Sequence, residues 1–467
     1  MTRGSSVSVT LLILFTSVFQ AQPTGRVRLL AQHLYNHGVS GGNYYSNCWG
    51  YTDPQGREYA LMGAVTGLSI VDITNPDSLR EVAFIRGVTS TWREIKTFSH
   101  YAYVVTDVAS SPDSLLGTAI IDLSELPDTA RLVRRWVHTN GTRNTKLSHT
   151  LSIHDGYLYL NGCSNWSPQA VLIFSLTDPV NPAYLGAWGT EYIHDSMVRN
   201  DTMFAADIYT PGGLYVVDVR NKANPQTITE IAYTGAGTHN AWTTTDGRYV
   251  LTTDEIGTTP KTLKVWDIQN LPAWSSVTSF TPDPSATVHN VHIKGDYAYV
   301  AWYTAGVHVV DISNPTQPVH AGGMDTFLPT PTSPYQGCWG VFPYYNSNKF
   351  IACDRQTGLY VFSLDSITTG VRRLDKGEIP SSLTLHQNYP NPFNPSTVIR
   401  YAVPSTGYVT LKIVNLLGEE VATLVDEVLT AGSYEAHFVA TSLPSGVYMY
   451  RLVAGSFAES KKMLLLK

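Results

Sequence analysis

The sequence predicts an all-β chain, a seven-bladed β-propeller followed by a small Ig-like β-sandwich. Three observations carry that expectation. A short apolar strand recurs seven times, and the stretch from Leu385 to the end breaks into short alternating strands. Charged residues make up 15% of the chain, against roughly 25% in an average soluble domain. Tyr, Phe and Trp are abundant, and Gly and Pro are scattered as turn punctuation, a composition suited to β-structure and unlike a disordered chain.

At the N-terminus Arg3 precedes an apolar stretch from Val7 to Phe19, too short to span a bilayer, which ends at the small residue Ala21. Residues 1–22 are therefore expected to be a cleaved signal peptide. No later stretch offers the ~18 uninterrupted apolar residues of a membrane helix, so no transmembrane segment is expected. A formal net charge of −6 argues against a nucleic-acid partner. The four cysteines, Cys48, Cys163, Cys338 and Cys353, are too few for a disulfide scaffold. A bridge among Cys48, Cys338 and Cys353, with Cys48 aligned on Cys338, and buried free thiols stay open as alternatives.

The repeated strand reads GLSIVDI from Gly67, GTAIIDL from Gly117, AVLIFSL from Ala170, GLYVVDV from Gly213, TLKVWDI from Thr262, GVHVVDI from Gly306 and GLYVFSL from Gly358. Five copies place Asp at one position, Asp72, Asp122, Asp218, Asp267 and Asp311, and two place Ser there, Ser175 and Ser363. Successive copies are 50, 53, 43, 49, 44 and 52 residues apart, the length of one four-stranded blade. Asn-Pro turns such as Asn75-Pro76, Asn224-Pro225 and Asn314-Pro315 follow most copies and end the strand ladder. Upstream of each copy lies a hairpin such as SHTLSIHDGYLYL from Ser148, with Asp-Gly or Gly-Asp at its turn, and downstream of the first six lies one more short strand. The seventh unit lacks that last strand. Val27–Ala31 is expected to supply it and close the ring, with Val371 to Leu374 as the alternative, since an open ring would expose two sheet edges.

Copies such as GLYVVDV followed by Asn-Pro resemble the LVIVD repeat, and the arrangement over about residues 26–365, within an expected propeller domain of 23–365, resembles the choice-of-anchor B family of secreted bacterial propeller proteins. That resemblance assigns no activity. Residues 366–384 read as a linker. Beyond it, NYPNPFNPSTVIRYAVP (Asn388 to Pro404), VTLKIVNLLGEEVATLV (Val409 to Val425), LPSGVYMYRLVAG (Leu443 to Gly455) and the closing KKMLLLK resemble the type A C-terminal sorting domain of the type IX secretion system. Residues 385–467 are expected to form it. The resemblance implies the type IX secretion machinery as partner, passage across an outer membrane, and display at the cell surface or release. An ordinary Ig-like binding module is the alternative for this segment.

Aligning the seven hairpins places Trp49, Arg93, His149, His194, His239, His289 and Trp339 at one position, followed by Gly50, Glu94, Thr150, Asp195, Asn240, Asn290 and Gly340. The second strands end in Asp107, Asp207, Asp254, Glu255 and Asp354, a set expected on the same face and a candidate ligand-binding rim. Two readings stay open. In one, His149, His194, His239 and His289 staple neighbouring blades through their two ring nitrogens and need no cofactor. In the other, they hold a divalent metal for a hydrolase, with Glu94 or Asp195 as general base and Arg93 steadying an anionic group. The corresponding functions are a binding module for a glycan, peptide or protein ligand, and a metal-assisted secreted hydrolase. Tyr209, Trp166, Trp302 and Tyr303 are candidate stacking aromatics with core packing as the alternative, and His292 is assigned no role. GxSxG, Walker A, HExxH and Rossmann motifs do not occur.

Overall fold

Each copy of the repeated segment folds as the third strand of a four-stranded antiparallel ladder: Gly67–Asp72, Thr118–Asp122, Val171–Ser175, Gly213–Asp218, Leu263–Asp267, Gly306–Asp311 and Gly358–Leu364. The computed structural model describes residues 23–467 apart from 109–114, 168–170, 210, 366–371, 375–379, 419, 441–442, 456 and 467. The expected signal peptide and much of the expected linker lie outside the described residues. Among these residues the only helix is the single 3₁₀ turn Pro76–Ser78, and no helix is long and apolar enough to cross a membrane.

Two features of the motif have a mechanical explanation. Its aspartate caps the turn into the fourth strand by accepting the backbone N–H two residues on: Thr74 N on Asp72 at 2.9 Å, Ser124 N on Asp122 at 2.8 Å, Arg220 N on Asp218 at 2.9 Å. Ser175 does the same through its hydroxyl, at 3.2 Å from Thr177 N. Ser363 has no such turn to hold, because its strand runs on to Leu364 and its outer neighbour comes from elsewhere in the chain. The leading glycine sits against a carbonyl at or next to the end of the outer strand. A Cβ on Gly67 would lie 2.1 Å from the Ile85 oxygen, and one on Gly358 would lie 2.4 Å from the His33 oxygen.

That second contact marks the closure. Val27–His33 pairs antiparallel with Gly358–Leu364, from Val27 opposite Leu364 to His33 opposite Leu359, and fills the outer place of the last sheet. Ahead of it, Thr24–Gly25 adds a fifth strand to the sixth sheet, opposite Gly323 and Gly322, an element with no signal beyond those glycines. The alternative closing segment goes elsewhere: Arg372–Arg373 pairs with Glu435 and Tyr434 in the C-terminal region, inside the stretch read as linker.

The first strands of the seven sheets are Tyr45–Thr52, Glu94–Phe98, Thr150–His154, Asp195–Arg199, Thr238–Thr243, Val291–Lys294 and Cys338–Phe342. Each touches the next, and the last touches the first, so they line a common axis as in a β-propeller. Burial falls outward: Glu58–Ala64, a second strand, is buried throughout, whereas the outer strand Arg131–Trp136 is mostly exposed. Apolar clusters fill the spaces between neighbouring sheets. All four cysteines are buried free thiols, so the bridge among Cys48, Cys338 and Cys353 is not formed.

The C-terminal region consists of two antiparallel sheets. One orders Arg372–Arg373, Gly432–Val439, Ser396–Val403 and Thr384–Leu385; the other orders Glu420–Leu429, Gly407–Val414, Gly446–Ala454 and Phe457–Leu465. Their alternate residues, among them Ile399, Tyr401, Ala436, Leu411, Ile413, Tyr450 and Leu452, meet in one core.

Removal of residues 26–36 should leave the outer edge of Gly358–Leu364 unpaired and yield aggregated protein in size-exclusion chromatography. A monomeric truncation unfolding at the parent midpoint would contradict this closure.

Candidate functional site

The site begins with where the first strand of each sheet starts. His149, His194 and His289 donate their backbone N–H to the second strand of their own sheet, at Asn161 O, Ala206 O and Ala301 O. At His239 and Trp339 the register slips by one residue, which leaves these two residues out of the strand pairing. The four imidazoles pack in file, with ring centroids 4.3 Å apart for His149–His194, 4.2 Å for His194–His239 and 3.9 Å for His239–His289. Trp339 continues the file 4.8 Å from His289. Together with Arg93 they line a cavity of about 640 Å³ at one end of the axis.

The aligned position is wrong in the first sheet. Ala64 pairs with Gly67 and Asp354 with Gly358, so these second-strand residues correspond, and opposite them stand Tyr45 and Cys338. A bulge between Tyr45 and Cys48 then puts Ser46 in the histidine place and Asn47 in the next. Trp49, Gly50 and Cys48 lie deeper along the strand than the alignment assumed. Ser46 Oγ accepts from Arg93 N at 3.1 Å, and Asn47 Nδ2 donates to Glu94 Oε2 at 2.5 Å.

The acidic set divides. Asp107 accepts from His149 Nδ1 at 2.6 Å, and Glu255 stands 3.7 Å from His239 Nε2 and 3.9 Å from His289 Nε2 while accepting the Tyr303 hydroxyl at 2.5 Å. Asp207, Asp254 and Asp354 do not line the cavity. Asp207 accepts from Tyr209 N, Asp254 is held by the Tyr233 hydroxyl and Lys264, and Asp354 by Thr326 and the backbone of Gln356 and Thr357. Successive residues of an extended segment face opposite ways, so the residue one beyond each of these three, Ile208, Glu255 and Arg355, reaches the cavity in its place. Arg355 is thus a site residue that the sequence reading missed, although its place one after Asp354 repeats that of Glu255 after Asp254. Its guanidinium lies 4.5 Å above the Trp339 ring and donates to Tyr335 O at 2.8 Å.

Arg93 is committed elsewhere. Its guanidinium donates to the carbonyls of Ala64, Val65 and Val88, and burial lowers its pKa to about 10. It fastens the second sheet to the first and does not present a free cation to an anionic group. Below the histidines, Glu94, Asp195, Asn240 and Asn290 make a polar floor. Asn240 Nδ2 donates to Asp195 Oδ2 at 2.7 Å, Ser196 N to Asp195 Oδ1 at 2.8 Å, and Lys96 to Glu94. Burial, reinforced by Glu94 and opposed by Lys96, raises the Asp195 pKa to about 6.

Glu94, Asp195 and Asn290 also border a second cavity of about 410 Å³, towards the other end of the first strands. Trp49, Trp242, His292, Phe342 and Tyr344 line it, with Lys96 4.3 Å from the Trp49 ring. His292 and Trp49 belong here. Of the stacking candidates, Tyr209 is 57% exposed at the first cavity and Tyr303 lines its wall, whereas Trp166 and Trp302 are core residues. Trp92, Tyr192 and Tyr335 also line the first cavity, and Trp92 is 44% exposed.

The histidines divide their nitrogens. His194 Nδ1 faces the His239 carbonyl at 3.2 Å and His289 Nδ1 faces the Trp339 carbonyl at 2.6 Å, so each ring is tied to the next sheet. His149 Nε2 meets His194 Nε2 at 2.8 Å. Burial holds the pKa of His194 and His239 well below the ordinary imidazole value and brings that of His289 down to about 3, leaving these rings neutral at neutral pH. One ligand atom from each of His194, His239 and Glu255 falls within a common 4.8 Å, the arrangement among these residues able to hold a metal ion.

Known proteins share parts of this chain. The family model of the LVIVD repeat matches residues 58–84 and 286–326, and that of the secretion system C-terminal sorting domain matches residues 387–466. No curated protein matches the sequence. Among solved structures, PorZ, an essential bacterial surface component of the type IX secretion system of Porphyromonas gingivalis, is similar at 10% identity and a TM-score of 0.47, over 93% of this chain and 61% of PorZ. The chain thus spans about three fifths of that protein's length. The β-propeller domain of Cps50 (Swd1) from Myceliophteria thermophila is similar at 13% identity and a TM-score of 0.46, over 72% of this chain and 100% of that domain. The chain is a β-propeller protein with LVIVD repeats that ends in a type IX secretion system C-terminal sorting domain.

Proposed function

We propose that this protein is an extracellular binding module, exported through its sorting tail, that takes the end of a glycan into the mouth of the propeller. The observation that carries the reading is the composition of the 640 Å³ cavity. Its rim is aromatic, with Trp92 and Tyr209 exposed, and its depth is polar, with Asp107, Glu255 and Arg355. A sugar ring has apolar C–H faces for aromatic side chains and hydroxyls for charged acceptors and donors, so it satisfies both zones at once. A peptide satisfies the rim with its side chains but brings fewer hydroxyl-type groups to the depth.

The alternative of a metal-assisted hydrolase has weaker support. Glu94 is occupied by Asn47 and Lys96, and Asp195 by Asn240 and the Ser196 backbone, so neither is a free general base.

The sorting domain supports export to the cell surface or the extracellular space; display at the surface is the reading we adopt. Two measurements test these proposals. Titrating the purified chain with a panel of soluble oligosaccharides, with peptides as the parallel arm, should change tryptophan fluorescence with the oligosaccharides. Trp92→Ala should weaken that binding at least tenfold, about 1.4 kcal/mol, without moving the melting temperature. Binding confined to the peptide arm, or indifferent to Trp92, would overturn the glycan reading. In a host with type IX secretion, a chain truncated after residue 384 should accumulate in the periplasm while the complete chain reaches whole-cell surface labelling; equal labelling of both would refute the role of the tail.

A further inference from the structure

We propose that His194, His239 and Glu255 bind one divalent transition-metal ion of the zinc class at the base of the mouth. The site shares Glu255 with the polar depth of the cavity, but its test uses the metal alone and does not rest on the glycan reading.

Four observations converge on it. The donors are of the right kind: two imidazoles and one carboxylate are the mixed nitrogen and oxygen set that zinc and its neighbours accept, and three protein ligands leave a position open. Their ligand atoms lie within 4.8 Å of one another, close enough for one ion to draw them in by side-chain rotation. The outer contacts are those that ordinarily orient ligands. His194 Nδ1 faces the His239 carbonyl at 3.2 Å, which directs its Nε2 inward, and the Tyr303 hydroxyl holds the other end of the Glu255 carboxylate at 2.5 Å. Finally, His239 is 4% exposed, its ring is engaged by the His289 backbone on one side, and the nearest charged partner of its Nε2 is Glu255 at 3.7 Å. The 3.7 Å between that Nε2 and the carboxylate is too long for a hydrogen bond, and an ion seated between them would be coordinated by both.

The repeat makes this arrangement possible and also explains why it is local. Adjacent sheets bring equivalent residues side by side, so the neighbouring places His194 and His239 meet without any special loop. In the fourth to seventh sheets the residue just past the second strand is Ile208, Glu255, Tyr303 and Arg355, so among these four the fifth sheet alone adds a carboxylate. In the second sheet Asp107, two residues past Tyr101–Val105, also faces the cavity, but it is engaged by His149 Nδ1. His149 Nε2, 2.8 Å from His194 Nε2, is the contact that the ion replaces.

The test is a titration of the metal-stripped, purified chain with Co²⁺ and then Zn²⁺. One equivalent of Co²⁺ should bind at micromolar concentration or below, with the intense visible bands of four- or five-coordinate cobalt, and Zn²⁺ should displace it. Glu255→Gln keeps the size of the side chain and the Tyr303 contact, and it should weaken binding at least tenfold; His239→Ala should do the same. The pair His308 and His320, of which His320 is exposed and whose ring nitrogens meet at 2.9 Å, is the rival place for adventitious metal. Thus His320→Ala should leave the titration unchanged. Absence of binding by the unmutated chain, retention of full affinity by Glu255→Gln, or loss of the bound equivalent in His320→Ala would each overturn the proposal. If His239→Ala does not fold, the Glu255→Gln titration decides.

Discussion

Glu58, buried in the second strand of the first sheet, accepts the backbone N–H of Ser347 at 3.1 Å and its hydroxyl at 2.9 Å, and pairs with Lys349 at 3.0 Å. Ser347 and Lys349 belong to the hairpin of the seventh sheet, so this cluster ties the first sheet of the ring to the last. Tyr345 adds a hydroxyl donated to the Tyr59 carbonyl at 2.8 Å across the same joint. Burying a carboxylate and an ammonium is costly unless the remaining donors and acceptors are filled, and here the Lys349 ammonium also reaches the carbonyls of Ile73 and Thr74. The outer side of the joint is held by Val27–His33, and the chain then crosses to the inner start of the first sheet, where the Tyr45 hydroxyl donates to Tyr35 O at 2.5 Å. Every side chain at the mouth is positioned by the place of its strand on the ring, so a joint that opened would separate Trp339 and Arg355 from Ser46 and Arg93 and dissolve the cavity.

Much of the fold was legible because the repeat encodes local mechanics. The Asp of the third strand marks a turn, and its leading glycine marks a close carbonyl; both are short-range requirements that most copies meet. The closing strand was legible for a related reason, namely that one sheet lacked an outer partner. The docking of Thr24–Gly25 on Gly322 and Gly323 was not legible, since two residues carry no periodicity and their signal is the absence of side chains. The linker boundary shifted for the same kind of reason: Arg372–Arg373 is too short to read as a strand until the edge it joins, at Tyr434 and Glu435, is known.

The site was legible as a row of histidines and obscure in its details. Spacing along the chain locates His149, His194, His239 and His289, but facing direction depends on single-residue bulges, which leave no trace in a hydrophobic pattern. The bulge between Tyr45 and Cys48 adds residues to that strand, so equal spacing from the hairpin points to Trp49 where the structure puts Ser46. Asp207, Asp254 and Asp354 failed for the complementary reason. They sit at the strand ends as the alignment expected, but with side chains turned away from the axis, and the functional places fall to Glu255 and Arg355 one step on.

Stapling and metal binding are compatible uses of the same histidines. An imidazole has two nitrogens on opposite sides of its ring. When His194 spends Nδ1 on the carbonyl of the next sheet, its Nε2 must carry a lone pair towards the axis as long as the ring is neutral, and burial keeps it neutral. The structural bond therefore selects the tautomer that a metal or a ligand donor requires. His289, tied to the Trp339 carbonyl, is prepared in the same way, with Nε2 3.9 Å from Glu255. A repeat that uses histidine to fasten blades thus produces an arc of inward lone pairs as a by-product, and one carboxylate among them is enough to turn a fastening into a site.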